Sequence, residues 1–342
     1  MPTPTVSVII PVRNEVNYIW RCLNSLLSQT YPTTLYEVIV VDGRSSDGSK
    51  ECVLAFCCDH PNVRCLENTA GIVPRGMNIG IQNAHGEIII RADGHTIYPA
   101  HYIETCVNYL EKTGADNVGG PVLTIPASNS FSSQLVAAVL ASPFGVGDAK
   151  FRTGSGEGYV DTVPFGAFRR ELFDRVGMYN EKLVRNQDID LNARIRKAGG
   201  RIFQTPALTT EYHPVAGFWE LLDLTFRNCQ WHFFSVSENS RSLGLRHFTP
   251  AAFVVILTSL TVGSFFSRSV LLSLFVLLFV YLVVGFRTIN PRARKGGTVT
   301  LCTALLACFC FHFSYGVGTL AGLRYLLSPP PSKPIRTGQA VS

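Results

Sequence analysis

Acidic and polar residues follow three short apolar runs in the first hundred residues of the chain. The residues in question are Glu15, Asp42, Asp93 and His95. Taken singly, each is typical of a turn or a helix cap. Like charges brought together at one place cost energy unless a cation or hydrogen-bond donors offset them. The pattern therefore predicts a site for a ligand that carries donors, together with a metal ion.

The apolar runs themselves read as strands because they are short and rich in β-branched residues. They cover Val6–Ile10, Glu37–Val41, Val63–Leu66 and Glu87–Ile90. Apolar residues at helical spacing separate the first two runs, and Met77–Asn83 reads as a helix before the fourth. Continuous apolar strands are typical of a parallel sheet that is buried on both faces. Ligands of such α/β sheets bind beyond the carboxyl ends of the strands, where the acidic residues would meet.

Composition and missing motifs exclude several classes of protein. The chain has 342 residues, 46% of them apolar, and 30 Lys+Arg against 24 Asp+Glu give a net charge of +6. That composition excludes a disordered or fibrous chain. The first strand runs into Pro-Val-Arg-Asn-Glu without the glycines of a dinucleotide-binding turn. No nucleic-acid-binding signature accompanies the positive charge, so we expect attraction to anionic lipid and no nucleic-acid partner.

The C-terminal third is a membrane candidate because it carries almost no charge. Phe248–Phe266 and Val270–Phe286 each approach the roughly 20 apolar residues that a spanning helix needs. Val299–Leu323 is a third apolar stretch, but it contains His312, Ser314 and several glycines. It is expected either to pack against the other helices or to lie partly in the membrane interface. The sequence thus predicts two or three helices in this region.

Basic residues flank the first two spans on the same side of the predicted hairpin. They are Arg241, Arg246 and His247 before the first span, and Arg287, Arg292, Arg294 and Lys295 after the second. The positive-inside rule makes that side cytoplasmic. Arg324, Lys333 and Arg336, after the third stretch, fit a third crossing less well. With no secretory signal at the start, we expect a multi-pass protein of the cytoplasmic membrane with a cytosolic soluble domain.

Four stretches together resemble family 2 glycosyltransferases with a GT-A fold, in the order typical of that family. They are VSVIIPVRNE, YEVIVVDGRSSDGS, AGIVPRGMNIGIQNAHGEIIIRADGH and GEGYVDTVPFGAFRRELFDRVGMYNEKLVRNQDIDLNARIRKAGGRIF. The hydrophobic C-terminal part is similar to membrane-attached glucosyltransferases of succinoglycan biosynthesis. The resemblance implies an α/β protein with a mixed, mainly parallel sheet flanked by helices, followed by C-terminal transmembrane helices.

The resemblance also implies a site for the nucleotide of a UDP-sugar. The family holds the base and ribose with residues at the end of the first strand and after the second, and a basic residue often approaches the nucleotide. The corresponding residues here are Pro11, Arg13, Glu15, Asp42 and Arg75, with Asp93 at the end of the fourth strand. These residues are therefore expected to bind the donor.

A divalent metal, Mn²⁺ or Mg²⁺, is the cofactor that the resemblance implies. The family's DxD motif corresponds to Asp93-Gly94-His95, so a histidine replaces the last aspartate. Histidine is a competent ligand for Mn²⁺ and less natural for Mg²⁺. His213 stands where some GT-A enzymes place a further metal ligand, although a structural histidine explains it equally well.

The catalytic base is expected in the segment Asn186-Gln187-Asp188-Ile189-Asp190, which matches the family's ED-like motif. Asp188 aligns with its aspartate, and Asp190 is the competing candidate. The same residues also read as the first turn of a helix, where carboxylates are favoured by the helix dipole. The QxxRW motif of processive synthases is absent near Trp231, which favours addition of single sugars.

The predicted organisation is a catalytic domain over residues 1–215, an amphipathic juxtamembrane region over 216–247, a membrane region over 248–326 and a flexible tail over 327–342. The predicted function is inverting transfer of a hexose, such as glucose, from a UDP-sugar to a lipid-linked or growing glycan in polysaccharide biosynthesis. Direct transfer to polyprenyl phosphate and a non-catalytic nucleotide-sugar-binding scaffold are the alternatives. The sequence does not define the oligomeric state.

Overall fold

A computed structural model describes residues 5–154, 156–289, 299–328 and 330 of the chain. These residues form two compact units. The first contains the residues up to 123 together with 154–213, and the second contains 124–153 together with 214–330. Residues 124–153, which the sequence analysis places in the catalytic domain, thus group with the C-terminal part of the chain.

Eight strands form the main sheet of the first unit. They are β1 (Val6–Val12), β2 (Tyr36–Asp42), β3 (Val63–Glu67), β4 (Ile88–Arg91), β5 (Asn117–Gly119), β7 (Gly158–Val160), β8 (Ala167–Arg169) and β9 (Ile202–Gln204). Their order is β3-β2-β1-β4-β8-β5-β9-β7. Pairing is parallel from β3 to β4 and between β5 and β9, whereas β8 and β7 are antiparallel to their neighbours. This confirms the predicted mixed, mainly parallel sheet.

Six helices flank this sheet, and two further strands pair beside it. The helices are α1 (Ile19–Leu27), α2 (Ser49–Asp59), α3 (Val73–Asn83), α4 (Tyr102–Thr113), α8 (Leu172–Val176) and α9 (Gln187–Lys197). The two further strands are β6 (Val122–Thr124) and β10 (Thr210–Tyr212).

Alternate side chains of the central strands enter two separate apolar cores. Val8 packs with α1 and α4 on one face of the sheet, while the next residue, Ile9, packs with α3 and α9 on the other. Since both faces of β1 and β2 are covered, these strands are apolar without interruption.

The register brings the ends of three strands to one edge of the sheet. Val12 lies opposite Asp42 in the β1–β2 pair. Ile9 lies opposite Arg91 in the β1–β4 pair. The residues that follow β1, β2 and β4 therefore start from neighbouring positions, as predicted.

The second unit is helical. Its helices are α5 (Phe131–Leu140), α6 (Pro143–Val146), α7 (Lys150–Thr153), α10 (Phe218–Cys229), α11 (His232–Glu238), α12 (Thr249–Gly263), α13 (Arg268–Thr288) and α14 (Leu301–Ala321). Within the part of the chain that the structure describes, three segments are long and apolar enough to cross a membrane: Leu245–Gly263, Arg268–Thr288 and Leu301–Leu326. The predicted juxtamembrane region contains α10, whose face with Leu221 and Leu224 is buried.

Several residues used in the sequence analysis lie outside the described part of the chain. They are Arg292, Arg294, Lys295, Lys333 and Arg336, together with most of the predicted tail 327–342.

Candidate active site

Asp42 ends β2 at the acidic edge of the sheet and is only 1% exposed. Its Oδ2 accepts hydrogen bonds from the backbone N–H groups of Arg44 (3.0 Å) and Ser45 (3.2 Å). Its Oδ1 is buried without a hydrogen-bond partner among the described residues. A buried carboxylate oxygen is costly to leave unpaired. Asp42 is therefore suited to accept a hydrogen bond from a ligand such as a ribose hydroxyl or a base N–H.

Two residues of the first strand region lie beside Asp42. Pro11 is within β1, and Arg13 directly follows that strand. Pro11 is paired with Val41 within the sheet. The Arg13 guanidinium donates from Nη1 to the Gly71 carbonyl at 3.0 Å. Gly71 has a φ of +66°, in the left-handed region that favours glycine. Arg13 thus fixes the loop between β3 and α3 against the end of β1.

Arg75, in the first turn of α3, forms an ion pair with Glu181 at 3.0 Å. Glu181 also accepts a hydrogen bond from Asn78 at 2.8 Å. Both charged side chains are substantially exposed, so this contact competes with solvent and adds little stability. The structure therefore places Arg75 on the surface with an acidic partner.

Glu15 and His95 come together although 80 positions separate them in the chain. His95 Nδ1 lies 3.4 Å from Glu15 Oε1. Burial opposes a charge on the imidazole, but Glu15 and the nearby Asp93 raise the pKa of His95 above its ordinary value. His95 Nε2 is buried and has no hydrogen-bond partner among the described residues. This nitrogen is therefore a suitable ligand atom for a divalent cation.

Arg91 occupies the centre of the acidic edge. Its side chain is 3% exposed, and its Nε and Nη2 donate to Asp93 Oδ1 at 3.2 Å each. Its Nη1 donates to Asp188 Oδ1. Burial disfavours the charged guanidinium, but Asp93 raises the pKa of Arg91 above its usual value. One arginine thus joins the aspartate of the predicted metal motif to the predicted base.

Asp188 and Asp190 both lie in the first turn of α9, but in different surroundings. The Asp188 side chain is 25% exposed. Asp190 is 2% exposed and pairs with Arg194 Nε at 3.0 Å. Arg194 also donates to carbonyls at the end of α8 and in the loop that follows it, which are those of Val176, Gly177 and Met178. Asp190 therefore belongs to a structural contact between α9 and that loop, and Asp188 is the carboxylate open to a substrate.

His213 follows β10 and is only partly buried, with Nε2 3.9 Å from the carboxylate of Glu211. A bridge between Ile97 and Glu211 brings β10 beside the segment that follows β4. The ring that contacts His95 edge-on is that of Tyr212. The described part of the chain holds no group of three His, Cys, Asp or Glu side chains spaced to bind a metal. A metal site built on Asp93 and His95 would therefore need further ligands, such as substrate oxygens.

Arg91 and Tyr98 are the site residues that the sequence analysis assigned no role. The Asp93 backbone N–H donates to the buried Tyr98 hydroxyl at 2.8 Å, which fixes the loop after β4. The sequence did contain a signal for Arg91, since it is a charged residue that ends an otherwise apolar strand, Ile88–Ile90. A buried charge at such a position requires partners.

A mixed sheet of this topology, with carboxylates at one edge, is the architecture of GT-A glycosyltransferases. The family model described as "Glycosyl transferase family 2" matches residues 7–177, which is half of the chain. The chain belongs to this family and is a glycosyltransferase. The resemblance seen in the sequence is thereby confirmed.

Individual relatives agree with this assignment. The succinoglycan biosynthesis protein ExoA of Rhizobium meliloti is 30% identical over 244 residues, 70% of this chain and 70% of ExoA. The glycosyltransferase AglE of Haloferax volcanii is 34% identical over 229 residues, 66% of this chain and 71% of AglE. The mannosyltransferase PcManGT from Pyrobaculum calidifontis, solved in complex with GDP-Man and Mn²⁺, matches with a TM-score of 0.61 at 19% identity, covering 93% of this chain and 87% of PcManGT. That structural likeness shows the shared fold.

Proposed function

We propose that the protein transfers a hexose, with inversion, from a UDP-sugar to a lipid-linked or growing glycan at the cytoplasmic face of a membrane. The observation that carries the proposal is the bridge from Asp93 through Arg91 to Asp188. Through this bridge, Asp93, at the end of β4 and suited to the donor's diphosphate, is connected with Asp188, the carboxylate suited to the acceptor. Both halves of a transfer site thus share one buried guanidinium.

At the donor side, Asp42 accepts from the nucleoside and Arg13 holds the neighbouring loop in place. Asp93 and His95 would hold a divalent cation, which stabilises the negative charge of the leaving diphosphate when it is bound. The buried, unpartnered His95 Nε2 supports this role and favours Mn²⁺ over Mg²⁺. Glu15 keeps the imidazole oriented, so that it can act as a ligand once it has lost its proton.

At the acceptor side, Asp188 accepts the proton of the attacking hydroxyl. The base and the leaving group are on opposite sides of the anomeric carbon in a single displacement, which gives inversion. Arg91 holds the Asp188 carboxylate in position before the reaction through a charge-assisted hydrogen bond. The buried Asp190 is not required for this step.

The acceptor class rests on the helical unit and on the relatives. ExoA takes its name from succinoglycan biosynthesis, a polysaccharide pathway. Long apolar helices would attach the enzyme to the membrane, where it can reach acceptors carried on a lipid. Arg241, Arg246 and Arg287 flank α12 and α13 at the same end of their hairpin, and the positive-inside rule makes that end cytoplasmic. We therefore propose cytosolic access to a polyprenyl-linked glycan.

The experiment uses the full chain in lipid nanodiscs with a panel of UDP- and GDP-hexoses, with and without Mn²⁺. Metal-dependent release of UDP in the presence of a polyprenyl-diphosphate sugar supports the proposal. Transfer to polyprenyl phosphate alone would contradict this acceptor and would identify the protein as the alternative enzyme, a polyprenyl-phosphate glycosyltransferase. Tight donor binding without any release would indicate a scaffold. Asp190→Asn serves as the matched control variant, because it alters the same helix turn outside the proposed chemistry.

A further inference from the structure

The third apolar helix, α14, crosses the α12–α13 hairpin at one end of that hairpin. Leu305 lies against Gly285, near the end of α13. Further along α14, Gly316 lies against the Pro250 carbonyl and Val254, in the first turns of α12. Between these points, Phe309 contacts aromatic rings of both spanning helices, those of Phe253 and Tyr281. The helix thus passes from α13 to α12 across their shared base.

The lengths of these contacts decide the orientation. From Leu305 to Gly316 the contact covers about 16 Å of α14, at 1.5 Å per residue. The residues of the hairpin that these positions meet span about 6 Å of α12, from Pro250 to Val254, and about 6 Å of α13, from Tyr281 to Gly285. Helices that crossed the bilayer side by side would touch over similar lengths. The geometry therefore runs α14 transverse to the two spanning helices.

A second contact fixes α14 beside the amphipathic helix α10. The two helices run in the same direction, and matching contacts recur every four residues along both. Ser314 Oγ donates to the Leu222 carbonyl at 2.7 Å, Gly318 lies against the Phe226 carbonyl, and Gly322 lies against the Gln230 carbonyl. Glycines allow this close backbone approach because they have no side chain.

Helix α10 carries charges that do not suit the hydrocarbon core. Asp223 and Arg227 form an exposed ion pair, and Glu220 lies on the same helix. A charged side chain at the centre of a bilayer is costly because it loses its contact with water. If α14 spanned the membrane along its length, α10 would be drawn in beside it. Trp219, 78% exposed on α10, is instead a residue typical of the membrane interface.

We propose that α14 and α10 lie together in the membrane interface as a paired platform, and that only α12 and α13 span the bilayer. The partner of this surface is the boundary between lipid headgroups and acyl chains. Leu306 and Phe313, both exposed on α14, insert into that boundary. Arg324, just after α14, donates to Gln230 after α10 and remains at headgroup level.

The first test is the topology of the full chain in sealed vesicles. An epitope is inserted after Ser267, within residues 290–298, or after Leu327, and protease accessibility is measured. The tag after Leu327 should be on the same side as the tag in 290–298, with the Ser267 tag opposite. A Leu327 tag on the Ser267 side would show that α14 spans and would overturn the proposal. No donor or acceptor enters this assay, so failure of the proposed reaction does not affect it.

The second test measures depth. Leu306→Trp and Phe313→Trp are compared with the parent protein by quenching with brominated lipids. Seven residues are about 10 Å along a helix, so a spanning α14 would separate the two positions by about that depth. If α14 lies in the interface, the membrane depths of the two positions should agree within about 3 Å, well short of the rise of seven helical residues. The matched control pair on α13 is Leu272→Trp and Phe279→Trp, since both side chains are exposed and lie seven residues apart. Their membrane depths should differ by about 10 Å.

Discussion

Replacing Asp188 by asparagine tests the assignment of the base, because the change preserves volume and removes the proton acceptor. Asparagine is also about as good as aspartate near a helix start, so α9 should persist. Loss of a general base typically lowers the rate about 10²- to 10⁴-fold. At 1.36 kcal/mol for each factor of ten, the barrier should rise by about 2.7–5.4 kcal/mol. Donor affinity should change little, since the contacts proposed for the nucleotide are made by other residues.

The structure predicts a different response for Asp190→Asn. Asp190 is 2% exposed and pairs with Arg194, which keeps three backbone carbonyls as partners when the carboxylate is lost. Removing one partner of a buried ion pair costs about 3–5 kcal/mol, and the remaining carbonyl contacts place this change toward the lower end. The folded fraction of Asp190→Asn should therefore transfer sugar at a rate near that of the wild type.

The two variants are compared by UDP release at saturating donor, by thermal unfolding and by titration with UDP-sugar. Per folded molecule, Asp188→Asn should lose turnover and Asp190→Asn should keep it, although each change removes the partner of an arginine and can lower the melting temperature. Turnover of Asp188→Asn within threefold of wild type would refute the assignment of the base. Turnover lost only in Asp190→Asn would move the base two residues along α9.

Three further predictions follow from the contacts of the first unit. Arg91→Lys keeps the positive charge but loses the planar guanidinium whose N–H groups reach both Asp93 and Asp188. We therefore expect kcat/KM to fall at least about tenfold while the protein still folds. A rate within twofold of wild type would contradict the bridging role of Arg91. Asp93→Asn should abolish the Mn²⁺ dependence of UDP binding in calorimetry, and unchanged dependence would remove Asp93 from the metal site. Although burial favours the neutral acid, hydrogen bonds from Ser7, His85 and Arg64 lower the pKa of Glu37 below its ordinary value. Because the folded pKa is the lower one, Glu37 stabilises the fold above about pH 4.5 and loses this effect as the pH falls through the folded pKa. Glu37→Gln should thus destabilise the protein by about 1–3 kcal/mol at pH 7, and this difference should shrink as the pH falls through the folded pKa of Glu37. Thermal melts over a pH series measure it, and a constant difference would refute the linkage.

The first half of the sheet could be predicted from the sequence because its strands are buried on both faces. Each of β1 to β4 overlaps its predicted run, with ends displaced by one or two residues. The remaining strands have only three residues each, too few for a pattern to emerge. In particular, no sequence pattern indicates that β8 is inserted antiparallel between β4 and β5.

That insertion explains which parts of the site the sequence analysis missed. Residues that follow β1, β2 and β4 share an edge by the rule for parallel strands, and Glu15 and His95 do meet there. The contact between Arg91 and Asp188 joins positions 97 residues apart, and it depends on packing of α9 on the sheet. Periodicity carries no information on such a pairing. The pairing of α10 with α14 is equally non-local, because it follows from glycines whose partners lie 92 residues earlier.

The pairing of α10 with α14 also has a consequence for the order in which the protein is assembled on the ribosome. Helix α10 is synthesised roughly 80 residues before α14, which at about 5–20 residues per second leaves its apolar side without its final neighbour for several seconds. During that interval the membrane surface is the available cover for Leu222 and Phe226. A fragment that stops before α12 would retain this exposed side permanently, and it should associate with lipid or with itself.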